Sequence, residues 1–98
     1  MAGDLRLYLV SYDVTSPRRW RRIYKTLERC GAWQQLSAFV CRMSPPAFAA
    51  LERDLLDLMD VDSDRLMIAD LGPVAGAEDR LRRHGPAEPL PEPRFWIF

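Results

Sequence analysis

A serine followed directly by a proline occurs twice in the chain, each time between an apolar extended segment and an amphipathic one. The two pairs are Ser16-Pro17 and Ser44-Pro45. Serine is a favoured helix N-cap because its hydroxyl accepts a hydrogen bond from a free amide of the first turn, and proline suits the first helical position. Each pair therefore predicts a helix that begins just after a strand, which limits the chain to a repeated β–α arrangement.

The residues around the first pair have the periodicities of a strand and a helix. The segment Leu5–Val14 contains an unbroken apolar run, which predicts a strand that is buried on both faces. After Ser16, apolar residues recur at the spacing of one helical face, and they are Trp20, Ile23, Tyr24 and Leu27. Gly31 is the expected C-terminal cap of this helix.

The second half of the alternation is similar. Ala32–Met43 predicts either one long strand or two short strands that divide near Gln35-Leu36-Ser37, and periodicity leaves both open. The second helix has an inner face made of Phe48, Leu51, Leu55, Leu58 and Met59. Arg65–Leu71 predicts a further strand, which Gly72-Pro73 is expected to end.

Strands that alternate with two amphipathic helices predict an α+β sandwich, in which one small sheet carries both helices on one face. A ferredoxin-like βαββαβ layout fits this order best. We expect a ferredoxin-like domain over residues 1–71 and a proline-rich linker with an extra C-terminal strand over 72–98. The aromatic end, Phe95-Trp96-Ile97-Phe98, would be costly to leave in water and should dock on its own sheet or on that of a partner protomer. A second copy of the chain is the simplest cover for the free sheet face, so we expect a homodimer.

Charge is unevenly distributed, although the net charge is formally zero. Six basic residues lie in the first helix or at its end, namely Arg18, Arg19, Arg21, Arg22, Lys25 and Arg29, against the single acid Glu28. Arginine binds phosphate in a bidentate manner, so Arg18, Arg19 and Arg22 are candidate nucleic-acid contacts. A codon bias towards arginine would explain the same composition, and the sequence leaves both explanations open.

Asp13 is the candidate for chemistry, because it is a single carboxylate at the end of an apolar strand and beside the arginine-rich helix. A divalent cation such as Mg²⁺ can be held by one or two carboxylates together with water and phosphate oxygens. The alternative role for Asp13 is electrostatic, as an acid near a helix N-terminus.

Other chemistry is less well supported. The acids of residues 60–64 have the spacing of the start of a calcium-binding loop. However, Arg65 stands at the position of the required glycine and Leu71 at that of the closing glutamate. We therefore interpret these acids as solvated turn residues. The only histidine, His84, lies in the tail and is not expected to act as a general base. Cys30 and Cys41 lack metal-site spacing and are expected to be small hydrophobic residues.

We expect a cytoplasmic protein that has no membrane partner. The sequence shows no apolar run long enough to cross a bilayer and no signal peptide.

Several of these features together resemble the CRISPR-associated protein 2 family, the small proteins of spacer acquisition. They are Tyr12-Asp13-Val14 at the end of the first strand, the arginine-rich helix, Gln35-Leu36-Ser37-Ala38-Phe39, and an acidic turn before the strand Arg65–Leu71. The resemblance covers roughly residues 5–71 in the expected order. It implies a homodimer packed sheet against sheet, the CRISPR integrase as a partner, and double-stranded DNA or single-stranded RNA as the nucleic acid.

The resemblance also implies a site. Asp13 would be the catalytic residue and the ligand of Mg²⁺ or another divalent cation, with its two copies facing each other across the dimer axis. Around it would lie Tyr12, Arg18, Arg22, Ser37 and Phe39. Val40 stands where many members have an acid, which removes a possible second carboxylate. Two functions therefore remain open, a metal-dependent endonuclease and a non-catalytic adaptor that bridges the integrase and the DNA to be inserted, with a toxin-type ribonuclease of the same fold as a third.

Overall fold

The computed structural model describes residues 5–35, 37–86 and 88–90. Its strands and helices follow in the order β1 (Arg6–Asp13), α1 (Pro17–Glu28), β2 (Gly31–Gln35), β3 (Ala38–Met43), α2 (Pro45–Leu58) and β4 (Arg65–Pro73). A single turn of 3-10 helix, Ala77–Asp79, follows β4.

The four strands form one antiparallel sheet in the order β2-β3-β1-β4. A βαββαβ chain whose first and third strands are central is the ferredoxin-like fold, so the predicted fold class is confirmed. The segment Ala32–Met43 forms two strands, because the chain reverses between Gln35 and Ala38.

Both Ser-Pro pairs begin helices, as predicted. The Arg19 N–H donates to Ser16 Oγ, and the Ala47 N–H donates to Ser44 Oγ, each at 3.3 Å. Each cap satisfies an amide that would otherwise lack a partner, which contributes about 1 kcal/mol to helix stability.

Gly31 has a different role from the predicted one. It begins β2, and α1 ends instead at Arg29, whose φ of −78° is helical. A Cβ atom at Gly31 would lie 2.8 Å from Cys41 Sγ and 2.9 Å from the carbonyl oxygen of Val40. Glycine is therefore required here by the close approach of β3 and not by a left-handed cap.

The last strand ends at Gly72-Pro73, as predicted, although both residues still belong to it. Gly72 has φ +90° and lies beside a shift in the β1–β4 register, and its N–H donates to Asp70 Oδ1 at 2.8 Å. The strand continues past this bulge to Pro73, which pairs with Arg6. Because β4 is an edge strand, the missing amide of a proline at its end disturbs no further pairing.

The main core lies between the sheet and the two helices. It contains the alternate β1 residues Tyr8, Val10 and Tyr12 together with Ile23, Leu27, Phe39, Cys41, Met43, Phe48, Leu51 and Leu55. Burial of each large apolar side chain contributes about 1.5–3 kcal/mol. The ring of Tyr8 stacks on that of Phe48 with centroids 3.8 Å apart. This core holds β1, and with it the Asp13 end of the strand, in the middle of the fold.

The other side of the sheet, which we call the open face, carries the remaining β1 residues, including Leu7 and Leu9. These pack with Val40, Leu71, Val74, Ala77, Leu81 and Leu90. Part of the region predicted as a linker therefore covers the face that the sequence assigned to a second copy of the chain. The predicted strand Phe95-Trp96-Ile97-Phe98 lies outside the described residues.

Candidate functional site

Asp13 is the last residue of β1 and is exposed to solvent. Because side chains alternate along a strand, Asp13 projects to the same side as Leu9 and Ser11, the open face. Its partner across the ladder is Arg65 of β4, and the next pair on the same face is Ser11 with Met67. Met67 is 69% exposed. The Asp13 end of the open face is thus left uncovered, whereas the Leu7 end is packed under the chain that follows β4.

Asp13 is a single carboxylate within one chain. Among residues 5–35, 37–86 and 88–90, no group of three or more His, Cys, Asp or Glu side chains is placed to hold a metal ion. Val40 stands at the position where the resemblance implies an acid. It is fully buried and packs against Leu7. Asp13 alone could hold a divalent cation only if water and phosphate oxygens filled the other positions, and a second copy of the chain would add a second carboxylate.

Tyr12 and Phe39 were predicted to lie near Asp13 as nucleic-acid contacts, but both side chains are buried on the helix side of the sheet. They are 3% and 1% exposed. Their ring centroids lie 6.4 Å apart, and Trp20 and Tyr24 complete the aromatic cluster. In this arrangement both rings stabilise the core, and a direct contact with nucleic acid would require the core to open.

The Tyr12 hydroxyl is buried and has no hydrogen-bond partner among the described residues. Burial is the main cause that raises the pKa of Tyr12 to about 12, with the neighbouring Tyr24 adding to it. This hydroxyl therefore stays protonated at neutral pH.

Ser37 lies in the turn between β2 and β3 and is half-buried. Its carbonyl oxygen accepts a hydrogen bond of 3.1 Å from the N–H of Tyr12. This bond places Ser37 at the same end of β1 as Asp13, which agrees with the predicted grouping of the two residues.

The arginines of α1 separate into two kinds. Arg18 and Arg22 are exposed and lie one helical turn apart, so they share one face of α1. Arg21 and Lys25 are exposed as well. Arg19, in contrast, is held by a carboxylate of the same chain. Arg18 and Arg22 are therefore available to phosphate, and Arg19 has a structural partner.

That partner is Asp64, in the loop before β4. Arg19 Nε lies 2.7 Å from Asp64 Oδ2, and Arg19 Nη2 lies 3.1 Å from Oδ1, which is a bidentate pair. The Asp64 side chain is fully buried, and the N–H of Asp60 donates to it at 2.8 Å. The hydrogen bond from Arg19 is the main cause that lowers the pKa of Asp64 to about 2.

The prediction that all the acids of this loop are solvated is therefore wrong for Asp64. The spacing between Asp60 and Asp64 is that of one turn, and the Asp64 N–H does donate to the Asp60 carbonyl at 2.8 Å. Nothing in the local sequence, however, indicates that the side chain reaches Arg19 of another element.

The remaining candidates are His84 and the two cysteines. His84 lines a cavity of about 520 Å³ between the open face and the chain after β4, together with Ser11 and Met67 of the open face. Cys41 is buried, and burial raises the pKa of its thiol to about 12. Cys30 is half-buried and packs against the same core. Both cysteines pack as small hydrophobic residues, as predicted. In the described part of the chain, no helix has the length and apolar character needed to cross a membrane.

Comparison with known protein families identifies the family of this chain. The family model described as CRISPR associated protein Cas2 matches residues 6–74. The chain belongs to the Cas2 family. The match includes all four strands, both helices and Asp13, and it ends just after β4. Ala77, Leu81 and Leu90, which cover part of the open face, lie beyond the matched residues.

Relatives in other organisms agree with this assignment. The chain is 37% identical over 79 residues to a protein of Geobacter sulfurreducens named CRISPR-associated endoribonuclease Cas2, a match that covers 81% of this chain and 83% of the relative. It is 42% identical over 72 residues to a Rhodospirillum rubrum protein named CRISPR-associated endoribonuclease Cas2 1, covering 74% and 68% of the two chains.

Solved structures match the same fold. A hypothetical protein from Thermus thermophilus superposes with a TM-score of 0.73 at 30% identity, covering 89% of this chain and 99% of the other. Cas2 from Streptococcus pyogenes, solved at pH 6.5, superposes with a TM-score of 0.70 at 27% identity, covering 81% and 99%. The resemblance that the sequence motifs indicated is thus confirmed at the level of family and fold.

Proposed function

We propose that the chain acts in CRISPR adaptation, the acquisition of spacers, as a nucleic-acid-binding homodimer that cleaves phosphodiester bonds with a divalent cation through Asp13 of both protomers. The observation that carries this proposal is the position of Asp13, an exposed carboxylate at the end of the central strand on an uncovered part of the sheet. The endoribonuclease names of the Geobacter and Rhodospirillum relatives support the reaction class.

The uncovered end of the open face supports the dimer. Met67 is 69% exposed on this face, opposite the short side chain of Ser11 and two ladder pairs away from Asp13. Covering an exposed apolar side chain of this size is favourable, and a second copy is the occupant that also brings its own Asp13. Sheet-to-sheet packing at this end would therefore bury Met67 and pair the two carboxylates in one step.

The pairing supplies what one chain lacks. Two carboxylates across a two-fold axis, completed by water and by phosphate oxygens of the substrate, suit Mg²⁺. When bound there, the cation would polarise the phosphodiester and lower the pKa of a bound water molecule. The chain's own contribution is to hold one Asp13 at the ladder end and to present Arg18 and Arg22 to the phosphates that flank the scissile bond.

A second candidate is a non-catalytic adaptor that bridges the CRISPR integrase and the DNA to be inserted. The specific observation in its favour is Val40, which is apolar and fully buried at the position where the resemblance implies an acid. That position therefore adds no second carboxylate to Asp13. The arginines of α1 serve this function equally well, because contacts with the backbone of duplex DNA depend on charge and not on base sequence.

The two functions are separated by the variant Asp13→Asn, with Asp62→Asn, another exposed acid, as the matched control. Both are assayed for cleavage of single-stranded RNA and double-stranded DNA with Mg²⁺ or Mn²⁺ over a range of pH, after light scattering has confirmed the dimer. We expect Asp13→Asn to abolish cleavage and to leave nucleic-acid affinity unchanged. Cleavage at the wild-type rate by Asp13→Asn would contradict the catalytic assignment. If the wild-type protein binds DNA but cleaves under none of these conditions, the non-catalytic adaptor is the function that remains.

A further inference from the structure

The buried carboxylate of Asp64 joins α1 to the loop that precedes β4. Arg19 of α1 donates to both of its oxygens, at 2.7 and 3.1 Å, and the N–H of Asp60 donates to Oδ2 at 2.8 Å. One side chain therefore connects the helix that follows β1 with the loop that leads into β4.

Both of these elements lead directly to Asp13. The helix α1 begins at Pro17, shortly after Asp13 along the chain, and Arg65, the ladder partner of Asp13, immediately follows Asp64. A displacement of the Asp64 carboxylate would thus reach Asp13 from both sides, through the β1–α1 loop and through the first pair of the β1–β4 ladder.

We propose that Asp64, held by Arg19, is a positioning residue for Asp13, fixing the backbone on both sides of the Asp13 carboxylate. The inference rests on the proposed function of Asp13, and it assigns to Arg19 a role different from that of the exposed arginines of α1. A buried ion pair gives little net stability compared with apolar packing of the same volume. What this pair supplies is a fixed geometry, because bidentate hydrogen bonds define both distance and orientation.

The size of the expected effect follows from the sensitivity of catalysis to placement. A misplacement of about 1 Å at a reacting group can reduce the rate about 100-fold. Loss of the Asp64 contacts should therefore reduce cleavage by at least about tenfold. Nucleic-acid affinity should change little, because Asp64 is buried and Arg18 and Arg22 remain in place.

The test compares Asp64→Asn and the milder Arg19→Lys with Phe48→Leu, a core variant that weakens the stack on Tyr8 instead. All are assayed well below the Tm of every variant, for cleavage, for nucleic-acid affinity and for amide hydrogen exchange by NMR. We expect Asp64→Asn to slow cleavage at least about tenfold and to accelerate exchange at Thr15 and Arg65. Arg19→Lys should give a smaller change in the same direction, and Phe48→Leu should change neither reading.

Two results would overturn the inference. One is unchanged exchange at Thr15 and Arg65 in both Asp64→Asn and Arg19→Lys. The other is an equal loss of cleavage in Phe48→Leu, which would show that general destabilisation is the cause. If the wild-type protein cleaves no substrate, the proposed nuclease function fails, and the exchange measurement alone then decides whether Asp64 positions Asp13.

Discussion

Tyr12 and Asp13 are consecutive residues of β1, and their side chains lie on opposite faces of the sheet. Tyr12 is 3% exposed in the aromatic core, whereas Asp13 is exposed on the open face. The two residues were predicted as one functional motif. The structure divides them into a packing residue and a candidate ligand, because side chains alternate along a strand.

This division predicts the behaviour of Tyr12→Phe. The hydroxyl is buried without a partner among the described residues, and an unpaired buried polar group costs about 1–3 kcal/mol. We expect the substitution to raise the unfolding free energy by up to about 1 kcal/mol and to leave nucleic-acid affinity unchanged. Denaturant unfolding and a binding titration measure the two quantities. A marked loss of affinity with unchanged stability would show instead that Tyr12 contacts nucleic acid.

The two kinds of arginine in α1 predict two kinds of defect. The double variant Arg18→Ala with Arg22→Ala should weaken binding to the same extent for unrelated sequences. It should also reduce the slope of log affinity against log salt by up to about 2, because each lost phosphate contact on duplex DNA accounts for about 0.9. Arg53→Ala, which removes an exposed arginine from α2, is the control and should leave the slope unchanged. If the double variant binds as the wild type does, the arginine face does not contact phosphate.

The ion pair between Arg19 and Asp64 predicts a defined loss of stability in acid. The folded-state pKa of Asp64 is about 2, below its ordinary value of 3.8, so the stabilisation is complete above pH 3.8 and is lost as the pH falls through 2. The charged neighbours of Asp64 are Arg19 of α1, whose hydrogen bond lowers the pKa, and Asp60 of the same loop. Thermal unfolding between pH 5 and pH 2 should therefore show a smaller decrease in Tm for Asp64→Asn than for the wild type. Equal slopes would mean that folding does not lower the pKa of Asp64.

Much of the fold was predictable because its determinants are local. The Ser16-Pro17 and Ser44-Pro45 caps, the apolar face of each helix and the alternation of strand and helix all lie within a few residues of the elements they define. Gly31 shows where local sequence is not enough. Gly31 is required by the approach of Cys41 and Val40 from a neighbouring strand, and no residue adjacent to it in sequence carries that information.

The site was predictable in part for the same reason. Asp13 and the exposed arginines follow from chain order, because the end of a strand and the helix after it are necessarily close. The role of Asp64 does not follow, because its contact with Arg19 joins residues far apart in sequence. The partial cover of the open face by Val74, Ala77 and Leu81 was missed because the proline content of the tail suggested a linker.

A cation site built from two copies of Asp13 needs both carboxylates, and dimers with one altered chain measure that need. Wild-type and Asp13→Asn chains with different affinity tags are co-expressed, and the mixed dimers are isolated through both tags. Mixed dimers that carry Asp62→Asn in one chain serve as the control. We expect the mixed Asp13→Asn dimer to cleave nucleic acid no better than the fully altered dimer. If the mixed dimer retains half of the wild-type activity, each Asp13 acts alone and the shared site is wrong.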